Sequence, residues 1–201
     1  MNINSMSEPQ LAAPGAGLPK VELVIARLMF ATQRIMGSRE SFTARFQQER
    51  ANIRRLMQGL DAGSAARRVL IQRPPGLEDS SRYWSVWMTL DHLRIMHGGM
   101  SRIISSLTKG VKLPGTASTA AVKPSPQVTG AVVAGYEKSC DDLLATVATA
   151  GNLKTTVHYT HPWFGPLNAA GWHAMASTHL AIHRVQIERI VDGLSVARSQ
   201  T

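Results

Sequence analysis

The chain has 201 residues and a hydrophobic content of 44%, which excludes an intrinsically disordered protein and allows one domain with a substantial core. Its 22 Lys and Arg against 13 Asp and Glu give a net charge of +9, so partners with acidic surfaces need consideration. A single cysteine, Cys140, excludes an internal disulfide, and no apolar run reaches the roughly 18 to 20 residues of a membrane-spanning helix. We therefore expect a cytoplasmic protein without a membrane span.

The first elements in chain order are a tail and a helical region. Residues 1–19 are rich in Pro and Gly, lack a secretory signal and are predicted to be a flexible tail. From Val21 to Leu60 the apolar residues recur every three or four positions, which indicates helix. Gly37 and Ser38 interrupt this pattern, and Ser38 is suited to cap a new helix. The region is therefore one bent helix or two.

Positive charge is concentrated in residues 20–73, where eleven basic and four acidic residues give +7. Such a segment can attract nucleic acid, an anionic membrane surface or an acidic small molecule. A solvated helix face accounts for it equally simply, and no recognition motif or aromatic stacking platform accompanies the charge. We favour the solvated face over a nucleic-acid site.

The middle of the chain contains a connector, a helix and a loop. Residues 69–71 are β-branched or apolar enough to be extended, and Pro74-Pro75-Gly76 excludes a continuous helix. Asp79 and Ser80 are predicted to cap a helix over residues 82–109. A loop rich in Pro, Thr, Ala and Ser follows over residues 110–127.

Two further helices complete the chain. An apolar seam predicts a helix over residues 128–150, and a linker over 151–166 precedes a last helix over 168–192, with Gly193 as its C-terminal stop. No alternation long enough to build a sheet occurs. The pattern predicts an all-α bundle as one domain over residues 20–195, with a C-terminal tail over 196–201.

Histidines provide the strongest chemical signal. On the last helix His179 and His183 are four residues apart, so both imidazoles lie on one face and can reach one ion. His92 lies on the inward stripe of the 82–109 helix and would complete a three-nitrogen site if the two helices are neighbours. Pairs with this spacing also arise by chance, and a buried histidine is often only hydrogen-bonded. Spacing alone therefore leaves both interpretations open.

Two segments carry a resemblance to a known family. The stretch from Trp84 to Leu93 reads WSVWMTLDHL, and the stretch from His161 to Ile190 reads HPWFGPLNAAGWHAMASTHLAIHRVQIERI. They resemble the second and the closing helix of the DinB-like superfamily, including a Trp seven residues before the first histidine of the pair. The resemblance covers about a quarter of the chain, and the helix order agrees through most of the rest.

This resemblance implies an up-down-down-up four-helix bundle, here with an additional N-terminal helix, that commonly forms a homodimer. It also implies a metal site at His92, His179 and His183. Characterised relatives are metal-dependent thiol transferases and isomerases that use mycothiol or bacillithiol. Zinc suits three imidazoles, and nickel is the alternative.

Other residues are possible neighbours of the site. His161 and Trp172 are candidates for an outer contact or a pocket wall, and Gln186 lies on the face of His183. Gly99, seven residues after His92, could leave a cavity beside the ion, although close helix packing would explain it equally well. Each aromatic or histidine here could also be a core residue.

These observations lead to three alternative hypotheses for the function. No carboxylate is placed by helical spacing to serve as a general base, which favours activation of a low-molecular-weight thiol over activation of water. The first hypothesis is therefore a metal-dependent thiol transferase. A non-catalytic bundle stabilised by its ion and a binder of nucleic acid or acidic partners are the alternatives.

Overall fold

The structure, a computed structural model, describes residues 8–199, with side chains to residue 196. The helices are α1 (Lys20–Met36), α2 (Arg39–Met57), α3 (Ala62–Ala66), α4 (Val86–Thr108), α5 (Val132–Thr149) and α6 (Ala169–Ser199). The strands are β1 (Val69–Leu70), β2 (Tyr83–Trp84), β3 (Tyr159–His161) and β4 (Gly165–Leu167). Short 3-10 turns occur at Asp79–Ser81 and Ala120–Val122.

The four long helices α2, α4, α5 and α6 form the predicted up-down-down-up bundle, and α1 is the additional N-terminal helix. Helix α4 packs against α5 and α6, and α2 packs against α6. Their inward apolar faces form one continuous core, which includes Phe46, Ile53, Leu90, Leu93, Met100, Tyr136, Leu143, Leu180 and Ile187. Within the described part of the chain no helix combines the length and apolarity needed to cross a membrane.

The region from Val21 to Leu60 contains two helices, which settles the alternative left open by the sequence. The Ser38 side chain accepts a hydrogen bond from the Ser41 backbone N–H, and the Ser41 hydroxyl accepts one from the Ser38 N–H. This reciprocal pair satisfies backbone donors at the start of α2. The break at Gly37 therefore has a local cause.

Helix α4 begins later than predicted. The cap is Ser85, whose hydroxyl accepts from the Met88 N–H at 3.1 Å, whereas Asp79 and Ser80 lie in a 3-10 turn. Residues 83 and 84 are instead extended, because β2 pairs antiparallel with β1, the segment predicted to be extended. A second antiparallel pair, β3 with β4, lies in the linker predicted over 151–166.

Helix α6 continues past the predicted stop. Gly193 lies inside the helix, and a Cβ at this position would lie 2.8 Å from Val69 Cγ1. The glycine therefore allows α6 and β1 to approach closely, which is a packing role and not a helix end.

The predicted tails are partly described. Residues 8–19 lie beside the connector, where the Ala12 N–H donates to Asp79 Oδ2 at 2.8 Å and Leu18 is buried. At the other end, residues 196–199 belong to α6. Residues 1–7 and 200–201 lie outside the described residues.

Candidate metal centre

Three imidazoles meet between α4 and α6. The Nε2 atom of His179 lies 3.1 Å from Nε2 of His92 and 3.1 Å from Nε2 of His183. The helix pitch places His179 and His183 on one face of α6, and the packing of α4 on α6 brings His92 to the same point. The structure thus brings together the three histidines singled out in the sequence.

The spacing of these nitrogens suits a small divalent ion. Ligand nitrogens at about 2.0–2.1 Å from a tetrahedral zinc ion lie about 3.3 Å from one another. The His179–His92 and His179–His183 Nε2 separations, 3.1 Å each, are close to this value. All three side chains offer the same ring atom, and three protein ligands are the number found at catalytic zinc sites, which keep one position for water or substrate.

Hydrogen bonds at the opposite ring atoms fix two of the tautomers. The Nδ1–H of His92 donates to the Val122 carbonyl oxygen at 2.7 Å, because a carbonyl can only accept. The Gln186 amide nitrogen donates to the Ser81 carbonyl at 2.7 Å, so its Oε1 faces His183 and accepts from Nδ1–H at 2.6 Å. Both rings therefore present a bare Nε2 lone pair when neutral.

The third ring makes the arrangement unfavourable without a cation. Nδ1 of His179 has no hydrogen-bond partner among residues 8–199, and its Nε2 lies beside two other Nε2 acceptors. A single proton on His179 Nε2 can be shared with only one of them. At least one contact is then between two lone pairs, which a divalent ion at the common point would resolve.

Burial keeps the imidazoles neutral. Loss of solvent lowers the pKa of His92 to about 4 and holds the pKa of His179 and His183 well below the usual value, with smaller contributions from the neighbouring rings and Lys123. Neutral imidazole is the form that binds metals. Burial thus favours the ring form that a metal ion would require.

A large cavity opens beside the three histidines. Its volume is about 980 Å³, and its wall contains all three rings together with residues of α1, α6, the connector and the β3–β4 hairpin. This is at the upper end of the range for small-molecule sites, about 300–1,000 Å³. The cavity therefore offers space for a ligand next to the nitrogen cluster.

Of the other residues considered in the sequence, some lie at the cavity or hold a histidine ring and others do not. His161 and Trp172 are buried in the cavity wall, with their ring centroids 5.5 Å apart, and Gln186 holds His183 as described. Gly99 is not in the cavity wall, and a Cβ there would meet no atom within 4 Å. Cys140 is a buried core thiol 3.6 Å from His97 Nδ1, and burial raises its pKa to about 12. It takes no part in the nitrogen cluster.

Several site residues were missed by sequence reasoning. Glu78 is buried in the cavity wall, where its carboxylate accepts from Lys123 Nζ at 3.0 Å and from Thr119 Oγ1 at 2.9 Å. Lys123 Nζ also lies 5.4 Å from the centre of the Trp84 ring, which stacks against His183. Both charged residues come from irregular segments, where no periodicity indicates which side chains face inward.

Gln186 provides a test of how the nitrogen cluster is held. Gln186→Leu removes the acceptor at His183 Nδ1, and we expect the affinity for zinc to fall about 10- to 100-fold, as is typical for loss of an outer hydrogen bond. Gln186→Glu keeps an acceptor there but loses the donation to the Ser81 carbonyl, so it is expected to lose less affinity than the Leu variant without matching the unmodified protein. Competition titration with a chromogenic chelator measures both. Equal zinc affinity in the Leu variant and the unmodified protein would show that this bond is unimportant.

Comparisons with known proteins agree with this architecture. The family model of the DinB superfamily matches residues 31–187. A solved structure described as TT2238, a four-helix bundle protein, is similar with a TM-score of 0.54 and 19% sequence identity, covering 75% of this chain and 98% of that chain. None of the curated proteins matches. At this identity the structural likeness shows the fold alone.

Proposed function

Because the chain belongs to the DinB superfamily, we propose that His92, His179 and His183 bind a divalent metal ion and that the protein is a transferase acting through a low-molecular-weight thiol. Zinc is the expected ion and nickel the alternative. A cytoplasmic location is part of the proposal, because small thiols are kept reduced there.

The observation that carries this proposal is that the three histidines whose ring nitrogens converge also line the 980 Å³ cavity. An ion that only joined two helices would need no space beside it, whereas a reacting ion needs an open position and room for substrates. The wall is predominantly apolar, with contributions from Phe30, Phe164 and Met175. It suits a small thiol together with an apolar second substrate.

Within this site a divalent ion would supply positive charge that lowers the pKa of a thiol. The chain's own residues would hold the histidine rings that bind the ion. Val122 and Gln186 fix two imidazoles, and Trp84 covers the far side of His183. In the transfer the thiol would release its proton to solvent, its sulfur would form a bond to an electrophilic carbon, and the leaving group would depart from that carbon with the electron pair of the broken bond.

The carboxylates of the cavity support a thiol more than a water nucleophile. Glu22, Glu49 and Glu78 line the cavity, but each is paired with a basic side chain: Arg73, Arg184 and Lys123 respectively. Hydrogen bonding to Lys123 and Thr119 overcomes the effect of burial and lowers the pKa of Glu78. Activation of water requires a general base, and a carboxylate held in this way is a poor one.

The proposal is tested with cobalt-substituted protein and a panel of thiols that includes mycothiol, bacillithiol, glutathione and cysteine. We expect at least one thiol to produce a sulfur-to-cobalt charge-transfer band and to support turnover of an electrophile. His92→Ala should lose both signals, and His158→Ala, which removes an exposed histidine, should lose neither. Absence of the band with every thiol would count decisively against a thiol substrate.

A non-catalytic ion is the main alternative, since His92 would join α4 to α6 through the ion. This alternative predicts a large fall in melting temperature on chelation together with no change in the cobalt spectrum on addition of any small ligand. The spectrum therefore separates the two functions, because both predict stabilisation by the ion.

Binding of an acidic partner is the third possibility. Four of the eleven basic residues in the 20–73 segment are already paired with carboxylates within the chain: Arg50, Arg54, Arg68 and Arg73. This lowers the charge available for a nucleic acid. Binding to a DNA duplex that weakened steeply between about 0.05 and 0.2 M salt would favour this function.

A homodimer is also part of the proposal. Helix α1 exposes seven apolar side chains at 52% to 84% of their surface: Val21, Val24, Ile25, Leu28, Met29, Ile35 and Met36. Val21, Val24 and Met36 line neither cavity, and a second copy of the chain that packed against α1 would bury them. Light scattering should report a dimer that Val24→Glu dissociates and that Val111→Glu, at an exposed site elsewhere, leaves intact.

A further inference from the structure

A second cavity lies away from the nitrogen cluster, where the α1–α2 junction meets the start of α6. Its volume is about 520 Å³, and it shares no wall residue with the 980 Å³ cavity. The wall is formed by residues 31–42 of α1, its junction and α2, by residues 151–154 of the linker, and by residues 168–173 at the start of α6. This cavity has no part in the proposed transferase.

Its charged wall residues are all basic. Arg34, Arg39 and Lys154 line the cavity, and no carboxylate of residues 8–199 does. None of the three is in an ion pair within that range, although Arg39 donates to the carbonyl oxygens of Ala150 and Gly151. Glu40, next in sequence to Arg39, is exposed and its carboxylate accepts from its own backbone N–H. The cavity therefore has a net positive charge.

Two helix N-termini add to this field. Ser38, which caps α2, and Asn168, at the start of α6, both line the cavity. Helices of 19 and 31 residues direct the positive ends of their dipoles toward this region. Gly171 keeps the wall open, because a Cβ there would lie 3.3 Å from Arg34 Nε.

One ring nitrogen of a buried histidine in the wall lacks a partner. His173 is only 2% exposed, and its Nδ1 has no hydrogen bond to any described residue. Its Nε2 lies 3.3 Å from Thr43 Oγ1, and either group can donate to the other. When the hydroxyl donates, Nδ1 of the neutral ring carries a proton with no acceptor, a costly arrangement that a ligand oxygen would satisfy.

We propose that this cavity binds a small phosphate monoester, with its phosphate between Arg34, Arg39 and Lys154 and one oxygen accepting from His173 Nδ1–H. Three cations and one nearby carboxylate favour a dianion over a monoanion. The volume exceeds that of inorganic phosphate and leaves space for a small organic group. The site would account for part of the unpaired positive charge in the 20–73 segment.

The experiment is calorimetric titration of the metal-loaded protein with glycerol 3-phosphate, inorganic phosphate and a short DNA duplex, at fixed salt. We expect saturable one-to-one binding of glycerol 3-phosphate. The double variant Arg34→Gln/Lys154→Gln should weaken it at least about 10-fold. The matched control Arg102→Gln/Lys109→Gln removes the same charge on and beyond α4 and should leave it unchanged.

A second readout reports on His173 directly. Nitrogen-15 NMR of the imidazoles should show a shift of the His173 Nδ1–H signal on saturation with glycerol 3-phosphate, and the Thr43-bonded Nε2 should change less. The proposal would be overturned if the protein bound inorganic phosphate or DNA but not glycerol 3-phosphate. It would also be overturned if the two double variants lost affinity for glycerol 3-phosphate equally. An unchanged His173 signal at saturation would overturn it as well.

Discussion

Replacing His183 with alanine is expected to abolish stoichiometric zinc binding at micromolar zinc, with a loss of affinity on the order of 10³-fold or more. Removing a direct ligand costs more than the 10- to 100-fold typical of an outer hydrogen bond. The two remaining rings, His92 and His179, would have to hold the ion with only two nitrogens. Elemental analysis after dialysis of protein purified without a histidine tag gives the ion-to-protein ratio.

Two controls make this result specific. His92→Ala removes the ligand contributed by α4 and should give the same loss, whereas His158→Ala removes an exposed histidine of the linker and should keep one ion per chain. Circular dichroism of each variant shows whether the bundle is intact. A folded His183→Ala protein that retained one zinc ion per chain would contradict the proposed ligand set.

Acidification from pH 6.5 to 5 is expected to reduce the free energy of unfolding by about 5 kcal/mol through three histidines outside the nitrogen cluster. Burial lowers the pKa of His97 to about 3 and of His161 and His173 to about 4. In the unfolded chain each takes up a proton with a pKa near 6.5, so each contributes about 1.6 kcal/mol across this interval. Stability is fully present above pH 6.5 and is lost as the pH falls toward 4.

This loss is comparable with the whole stability of a typical domain, about 5–15 kcal/mol. Urea titrations at several pH values measure it, and the carboxylates with lowered pKa, such as Glu22 and Glu78, act only below about pH 4.5. His97→Gln removes one titrating group and should lessen the loss of stability between pH 6.5 and 5 by about 1.6 kcal/mol relative to the unmodified protein. A urea midpoint that stayed constant from pH 7 to 5 would show that these rings are already protonated or solvated in the fold.

The helices and the nitrogen cluster were predictable because they depend on local geometry. The pitch of a helix alone places His179 and His183 together, and Ser38 begins α2 through contacts within its first turn. The contribution of His92 required α4 and α6 to be neighbours, which only the family resemblance indicated. The structure supplies that packing.

What escaped prediction depends on contacts between distant residues. Asp79, Ser80 and Ser85 are all suitable caps, and the pairing of β2 with β1 decides between them. Gly193 has the sequence signature of a helix end but serves close packing against Val69. The hydrogen bond of His92 Nδ1–H is accepted by the backbone carbonyl of Val122. Because every residue has a backbone carbonyl, the sequence does not indicate which one faces the histidine.

Helix α1 contributes to the cavity wall. The family match begins at residue 31, so most of α1 precedes it, yet Glu22, Ile25, Met29 and Phe30 line the cavity. The hairpin residue Phe164 packs on Phe30, with ring centroids 4.7 Å apart. The cavity wall is therefore built partly from a segment outside the family match.

The most direct measurement is anomalous X-ray diffraction at the zinc edge from crystals of the zinc-loaded protein. We expect one peak between α4 and α6, about 2.0–2.1 Å from Nε2 of His92, His179 and His183. A zinc ion bound only elsewhere, or held by fewer than all three of these nitrogens, would contradict the proposed ligand set.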